Sequence, residues 1–166
     1  MPKPNKIPSN IGDYIHYAPD TGDLTWLVDR GGTTKAGTQA GCTFPRGYIR
    51  VNFNNKSYSA HRIAFFLHTG IQPVLDIDHI DGNPANNRAN NLREASRSCN
   101  LANKPCQKRT ASGVKGAYYD KSRNLWLSAI TVNGKQRNLG RFSTPEQANA
   151  AYMVAAMAHF GDFARA

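Results

Sequence analysis

The stretch Leu75-Asp76-Ile77-Asp78-His79-Ile80-Asp81-Gly82-Asn83 decides how the chain is read, because it sets a carboxylate directly before a histidine at the end of a short strand and then turns. From Asp81 to Asn91 the chain holds five asparagines in eleven positions, together with Gly82 and Pro84. Such a composition excludes a helix and predicts a structured loop. Asn91 follows His79 by twelve residues and Asn100 lies nine further on, within a helix that Ser96 caps and that runs through Lys104 to its stop at Pro105. Phosphodiester hydrolysis needs a base for water, an oxygen-ligated cation and a group that fixes the base. Here the neutral imidazole of His79 is the base, and Asp78 and Asn100 are hard oxygen ligands of the kind that suit Mg²⁺ or Mn²⁺. The Asn91 carbonyl is expected to accept the other ring N–H and select the tautomer, with the adjacent Asn90 an alternative. Adjacent side chains on a strand point to opposite sides, and in-line displacement places the attacking water and the leaving oxygen on opposite sides of phosphorus, so the Asp78-His79 pair suits that reaction. Taken singly, His79 would read as a structural histidine. The four residues at this spacing read as a nuclease site.

The 166 residues are 40% hydrophobic, enough to bury a core and the size of one ordinary domain or two small ones. Lys and Arg number 21 against 11 Asp and Glu, a formal charge of +10, so polyanions are the first partners to consider. The basicity is distributed: residues 1–110 hold 14 basic and 8 acidic side chains, and 111–166 hold 7 and 3. It is densest from Arg88 to Arg109, where Arg88, Arg93, Arg97, Lys104, Lys108 and Arg109 face only Glu94. Nowhere do about 18 apolar residues run uninterrupted, and the start, MPKPNKIPSN, lacks an apolar signal-peptide core, so a soluble cytoplasmic protein with no membrane partner is expected. Three cysteines, Cys42, Cys99 and Cys106, without a Cys-x-x-Cys pair, speak for free thiols rather than disulfides or a zinc knuckle.

Two units are expected, a nuclease unit over 1–108 and a second over 109–166, joined through the basic, polar residues 105–112. In the first, residues 1–10 read as a frayed arm, Leu24 to Val28 as a strand, and Tyr48 to Phe53 with Lys56 to Ala60 as a hairpin turned by Asn54-Asn55. Trp26, Tyr48 and Phe53 are expected in its core. A helix from Ala60 to His68, stopped by Gly70, packs on this small antiparallel sheet, with His61 a scaffold residue at its start. In the second unit, Val114 to Tyr119, Leu125 to Val132 and Gln136 to Phe142 read as three strands, the last two joined by the hairpin pair Asn133-Gly134. Thr144-Pro145-Glu146 then opens a helix that reaches about Phe160. The fold class is α+β.

From Leu75 to Lys104 the residues resemble the HNH endonucleases, whose ββα-metal fold carries Asp-His on one strand, an asparagine in the loop and a last His or Asn on the helix. The homing and phage type, with asparagine last and a first strand much like Ile77-Asp78-His79-Ile80-Asp81-Gly82, is the nearest in pattern. The resemblance implies a DNA phosphodiesterase in which His79 is the general base, Asn91 orients it, and Asp78 with Asn100 binds one divalent metal. Arg93 and Arg97 are the candidates for an arginine at the transition state. Ala60-His61-Arg62-Ile63-Ala64 looks like the helix found upstream in many members. Residues 112–166, through Leu139-Gly140-Arg141-Phe142 and Thr144-Pro145-Glu146 above all, are similar to an AP2 domain. Arg93, Arg97 and Lys104, in the basic run beside the expected metal, are candidate phosphate contacts. The AP2 resemblance implies a sheet in the major groove of double-stranded DNA, with Lys115, Tyr119, Lys121, Arg123, Trp126, Arg137 and Arg141 as candidate contacts. Lys135 belongs to the same basic set. Strand alternation keeps them from all sharing one face, and Tyr119 and Trp126 divide evenly between core and DNA face. A monomer with one site nicks, and a homodimer would cut both strands. The homing and phage resemblance suggests a bacterial host cell. The competing readings are a non-catalytic DNA-binding regulator that uses the AP2-like part alone, and an RNA-binding protein, for which the charge suffices but no motif is present.

Overall fold

The computed structural model describes residues 5–32, 34–106 and 112–165. It is mixed α+β, built from small sheets and few helices. The chain divides into two compact units, Met1–Glu94 and Ala95–Ala166. The boundary expected at 108/109 lies outside the described residues.

In the first unit β1 (Ile15–Tyr17) and β2 (Leu24–Trp26) pair antiparallel, with Tyr17 opposite Leu24. Their connection turns at Gly22, where φ is +85° and a Cβ would come within 2.7 Å of the Asn87 and Arg88 backbone, so only glycine lets this turn lie against the asparagine-rich loop. A second sheet has the order β3 (Cys42–Thr43), β4 (Ile49–Phe53) and β5 (Lys56–Ser59), all antiparallel. Asn54 and Asn55, at φ +49° and +59°, make the tight left-handed hairpin turn between β4 and β5. Strand β5 runs directly into α1 (Ala60–Thr69), which ends at a left-handed Gly70. Ile11, Ile15, Leu24, Trp26, Val51, Phe53, Tyr58, Ile63 and Ala64 form the core, to which Ile77 and Leu92 are added by β6 (Asp76–His79) and its partner β7 (Leu92–Ala95).

Two expectations change here. The proline-containing arm does not fray over its described part: Ile7 is 1% exposed, and its N–H and C=O exchange hydrogen bonds with the Gln72 amide at 3.1 and 2.6 Å. A large apolar side chain at position 7 gains more by burial than the arm loses in freedom. Tyr48, expected in the core, is 40% exposed, because β4 begins only at Ile49 and the preceding turn carries the ring outward.

The second unit opens with α2 (Arg97–Asn103), capped as expected by the Ser96 hydroxyl, which accepts from Cys99 N–H at 3.2 Å. Strands β8 (Ala117–Asp120), β9 (Leu125–Val132) and β10 (Lys135–Phe142) form an antiparallel sheet in the order β10-β9-β8, with a bulge between Asn138 and Gly140. Helix α3 (Pro145–Phe160), capped by Thr144, lies on it through Ala148, Tyr152 and Ala156, and Ile130 completes the small core. The Ser128 hydroxyl donates to Ala148 C=O at 2.7 Å. At Gly116, φ +75°, a Cβ would lie 2.2 Å from the Tyr152 ring, so the approach of the chain to α3 requires glycine.

Candidate active site

Asp78 and His79 end β6, and each is 5% exposed. Asp78 Oδ2 accepts from Arg93 Nε at 3.1 Å, across the β6–β7 pair. The guanidinium replaces water that the buried carboxylate has given up. The strand is held at its entrance by two clamps. Arg62, buried on α1, donates to Pro73 C=O at 2.6 Å and Leu75 C=O at 2.8 Å, and Glu94 Oε1 accepts from the N–H groups of Val74 and Leu75 at 2.8 and 3.2 Å. The register of the Asp78-His79 pair is thus fixed by α1 and β7 together.

The loop from Asp81 to Asn91 is organised by its own side chains. Asp81 accepts from Asn83 N–H, Asn83 from Ala85 N–H, and Asn86 Nδ2 donates to Asp81 Oδ2 at 2.7 Å. Asn91 closes the loop: its Oδ1 accepts from Asp81 N–H at 3.0 Å, and its Nδ2 donates to Asp81 Oδ1 and Asn86 C=O at 3.0 and 2.8 Å. These bonds hold Asp81 ionised, below the usual carboxylate range, against an opposing burial effect. Asn91 therefore does not meet His79 as its spacing suggested; its amide satisfies the loop backbone. The residue at the ring is Asn87, whose Oδ1 lies 3.1 Å from His79 Nε2. Asn87 is 2% exposed, and its own carbonyl accepts from the Tyr17 hydroxyl at 2.7 Å. Burial, and then Asp20, push the Tyr17 phenol up to about 12, so it remains a donor. The neighbouring Asn90, the alternative expected at the ring, is not the residue that meets it.

Two further rings surround His79. His61 on α1 stands edge-to-face at 5.1 Å between centroids, and Tyr48 lies 6.2 Å from His79 and 5.8 Å from His61. Burial, followed by the proximity of His79 and Arg62, holds the His61 imidazole down to about 3, so it stays neutral. His61 is thus part of the site's wall rather than only the helix start expected for it. Asn100, expected as the second metal ligand, is on α2 and belongs to the second unit.

Residues 58–102 match the family described as HNH endonuclease. Over this stretch, from β5 to α2, the chain is similar to the HNH endonucleases. "Protein 3.8" of Escherichia phage T7 is 45% identical to the chain over 62 residues, which is 37% of this chain and 51% of that protein. "Uncharacterized HNH endonuclease L560" of Acanthamoeba polyphaga mimivirus is 36% identical over 116 residues, 69% of this chain and 59% of the relative. The chain thus spans about half to three-fifths of the length of these relatives. Among solved structures, one described as "DNA binding and cleavage by the HNH homing endonuclease I-HmuI" aligns over 81% of this chain and 75% of that one, at 18% identity and a TM-score of 0.40.

Within the first unit the Asp78 carboxylate is a hard oxygen donor at the end of β6. Among the described residues no three His, Cys, Asp or Glu side chains cluster. A carboxylate oxygen is the kind of donor that fits Mg²⁺ or Mn²⁺, ions that keep water and phosphate oxygens in their shell.

In the second unit, the side chains expected on a DNA face separate by strand register. Tyr119 is paired with Trp126, their rings 5.0 Å apart, and Trp126 shares its side of β9 with Ser128 and Ile130, the residues under α3. Arg137, opposite Ile130, belongs to that same side. Arg141 is opposite Leu127 and faces the other way, where it meets Asp120 at 3.6 Å. Lys121 and Arg123 are exposed in the β8–β9 turn, with Arg123 3.2 Å from Asp120. Arg97 and Lys104 are exposed at either end of α2. Lys115 is half-buried and bonded to backbone carbonyls, which removes it from the basic face expected of it.

Proposed function

We propose that the chain is a metal-dependent DNA endonuclease of the HNH type in which His79 activates water. The observation that carries this reading is the His79 ring itself, held at the end of β6 beside Asp78 with Nε2 against a buried amide oxygen. An acceptor at that distance calls for hydrogen on Nε2, the tautomer in which Nδ1 is the basic nitrogen of the neutral ring. The Asn87 amide, braced by Tyr17, keeps that tautomer through the transfer. A divalent ion, held by Asp78 and Asn100, would supply charge neutralisation at the scissile phosphate. Arg93 keeps Asp78 aimed for that role.

The second unit is proposed as the duplex-binding part, with Lys121, Arg123 and Arg141 reaching phosphates and a small number of side chains reaching base edges, in the manner of an AP2-like sheet. One site per chain favours nicking by a monomer. The relatives from phage T7 and mimivirus fit a viral gene acting in an infected cell.

Plasmid nicking with Mg²⁺ tests the reading. His79→Ala abolishes turnover and retains DNA binding in a gel-shift assay. Asn87→Leu keeps the volume, loses the acceptor and lowers kcat by roughly 10²-fold with KM unchanged. Unimpaired nicking by His79→Ala would remove His79 from the mechanism.

A further inference from the structure

Lys115 lies just before β8, in the chain that leads up to the close approach at Gly116. Its ammonium donates to three backbone carbonyls: Ala102, Lys104 at 2.7 Å and Arg165 at 3.2 Å. The first two are at the C-terminal end of α2. The last carbonyls of any α-helix have no partner inside the helix, and the helix dipole gathers partial negative charge there. Helix α2 has seven residues and no basic side chain in its last turn, and the bond its cap makes at that end, from Lys104 N–H to Leu101 C=O, is long at 3.4 Å. A helix of this length is also unstable in isolation. The cation it needs comes from a residue more than ten positions along the chain.

That residue is itself anchored to α3. The Lys115 carbonyl accepts from Asn149 Nδ2 at 2.8 Å, and its ammonium stands 5.9 Å from the centre of the Tyr152 ring. The third acceptor, Arg165, belongs to the segment that follows α3. Burial works against the charge and lowers the ammonium's pKa, and the carbonyls facing it supply the compensation.

We propose that Lys115 is a positioning residue for DNA cleavage, one that fastens α2, the helix carrying Asn100, to the C-terminal sheet and helix. The module after residue 112 then takes part in assembling the cleavage site as well as in holding DNA. This rests on the reading of Asn100 as a metal ligand in an HNH nuclease.

The test compares Lys115→Met and Lys115→Arg with the wild type, all as the full chain. Hydrogen exchange over residues 97–106, without DNA or metal, reports the fastening directly. In Lys115→Met it accelerates on the order of tenfold while α3 keeps its protection. Nicking at saturating Mg²⁺ loses kcat by a similar factor, KM and the DNA affinity measured in EDTA stay as in the wild type, and Lys115→Arg recovers part of the loss. The proposal is overturned if exchange in α2 and kcat are both unchanged. It is overturned equally if the variant binds DNA more weakly with a shallower salt dependence, the signature of a phosphate contact. Should Lys115→Met lose protection throughout β8–β10 and α3, Lys115→Gln, which keeps a donor, is measured in its place and the same outcomes decide. If the wild type does not cleave DNA at all while α2 still loosens in the variant, the nuclease reading fails and the fastening stands.

Discussion

Around His79, residue types and spacing give some of the site and geometry gives the rest. The placement of Asp78 and His79 at the end of a strand was legible in the sequence, because a turn-rich, asparagine-laden loop has to follow them. The residue on the ring was not. Asn87 and Asn91 have the same chemistry, and spacing alone cannot say which amide the loop's backbone will claim; the Asp81 N–H and the Asn86 C=O claim Asn91 and leave Asn87 for the imidazole. Tyr48 and His61 were equally opaque, since an aromatic before a strand and a histidine at a helix start usually serve packing. The neutrality of His61 has a consequence in solution. Its folded pKa is depressed to about 3, while an unfolded histidine has about 6.5, so between those values the unfolded chain binds the extra proton. Stability is therefore present above pH 6.5 and declines on acidification, at up to about 1.4 kcal/mol per pH unit from this residue. His61→Leu reduces that slope by the same amount, which urea midpoints between pH 4.5 and 7 measure; parallel slopes in the two proteins would show that His61 protonates freely in the fold.

Elements whose ends carry their own chemical signal matched the sequence closely. The Asn54-Asn55 and Asn133-Gly134 hairpins and the Thr144-Pro145-Glu146 helix start appear where expected, because left-handed turns and helix caps depend on one or two adjacent side chains. Elements fixed by distant partners did not. Ile7 is buried through a bond to Gln72, sixty-five residues away, and no local pattern announces that. Arg62 is the clearest case: a cation in a helix usually faces water, yet here it is 8% exposed and ties α1 to the segment before β6. Removing it leaves two carbonyls near the site without their donors. Arg62→Met is expected to lower stability by roughly 2–4 kcal/mol in chemical denaturation and to quicken hydrogen exchange through residues 71–79. Arg62→Lys, with one point donor for two acceptors, falls between. Wild-type protection of 71–79 in Arg62→Met would mean that the Glu94 clamp alone sets the strand.

For the molecule as a whole, composition pointed to a polyanion and the arrangement of charge narrows how one is met. The formal charge of +10 is not gathered in a tail. In the second unit Arg123 and Arg141 converge on Asp120, whose carboxyl is held down to about 2, chiefly by the Ser122 hydroxyl and then by Arg123, so it is ionised at every working pH. The two guanidiniums are thus pre-ordered at one exposed end of the sheet, at a cost in entropy that an isolated surface arginine would meet only on binding. If this end of the sheet meets DNA, every phosphate it neutralises releases condensed counterions, and the slope of log affinity against log salt records how many. Arg123→Ala with Arg141→Ala is expected to make that slope shallower by about 0.9 for each phosphate no longer neutralised, while the ratio of affinities for different duplexes stays the same. Fluorescence anisotropy with a labelled duplex in EDTA from about 50 to 200 mM salt measures both quantities apart from cleavage. An unchanged slope would place the duplex elsewhere on the chain. A slope unchanged but with altered sequence preference would instead give the two arginines to base edges, where they confer discrimination rather than affinity.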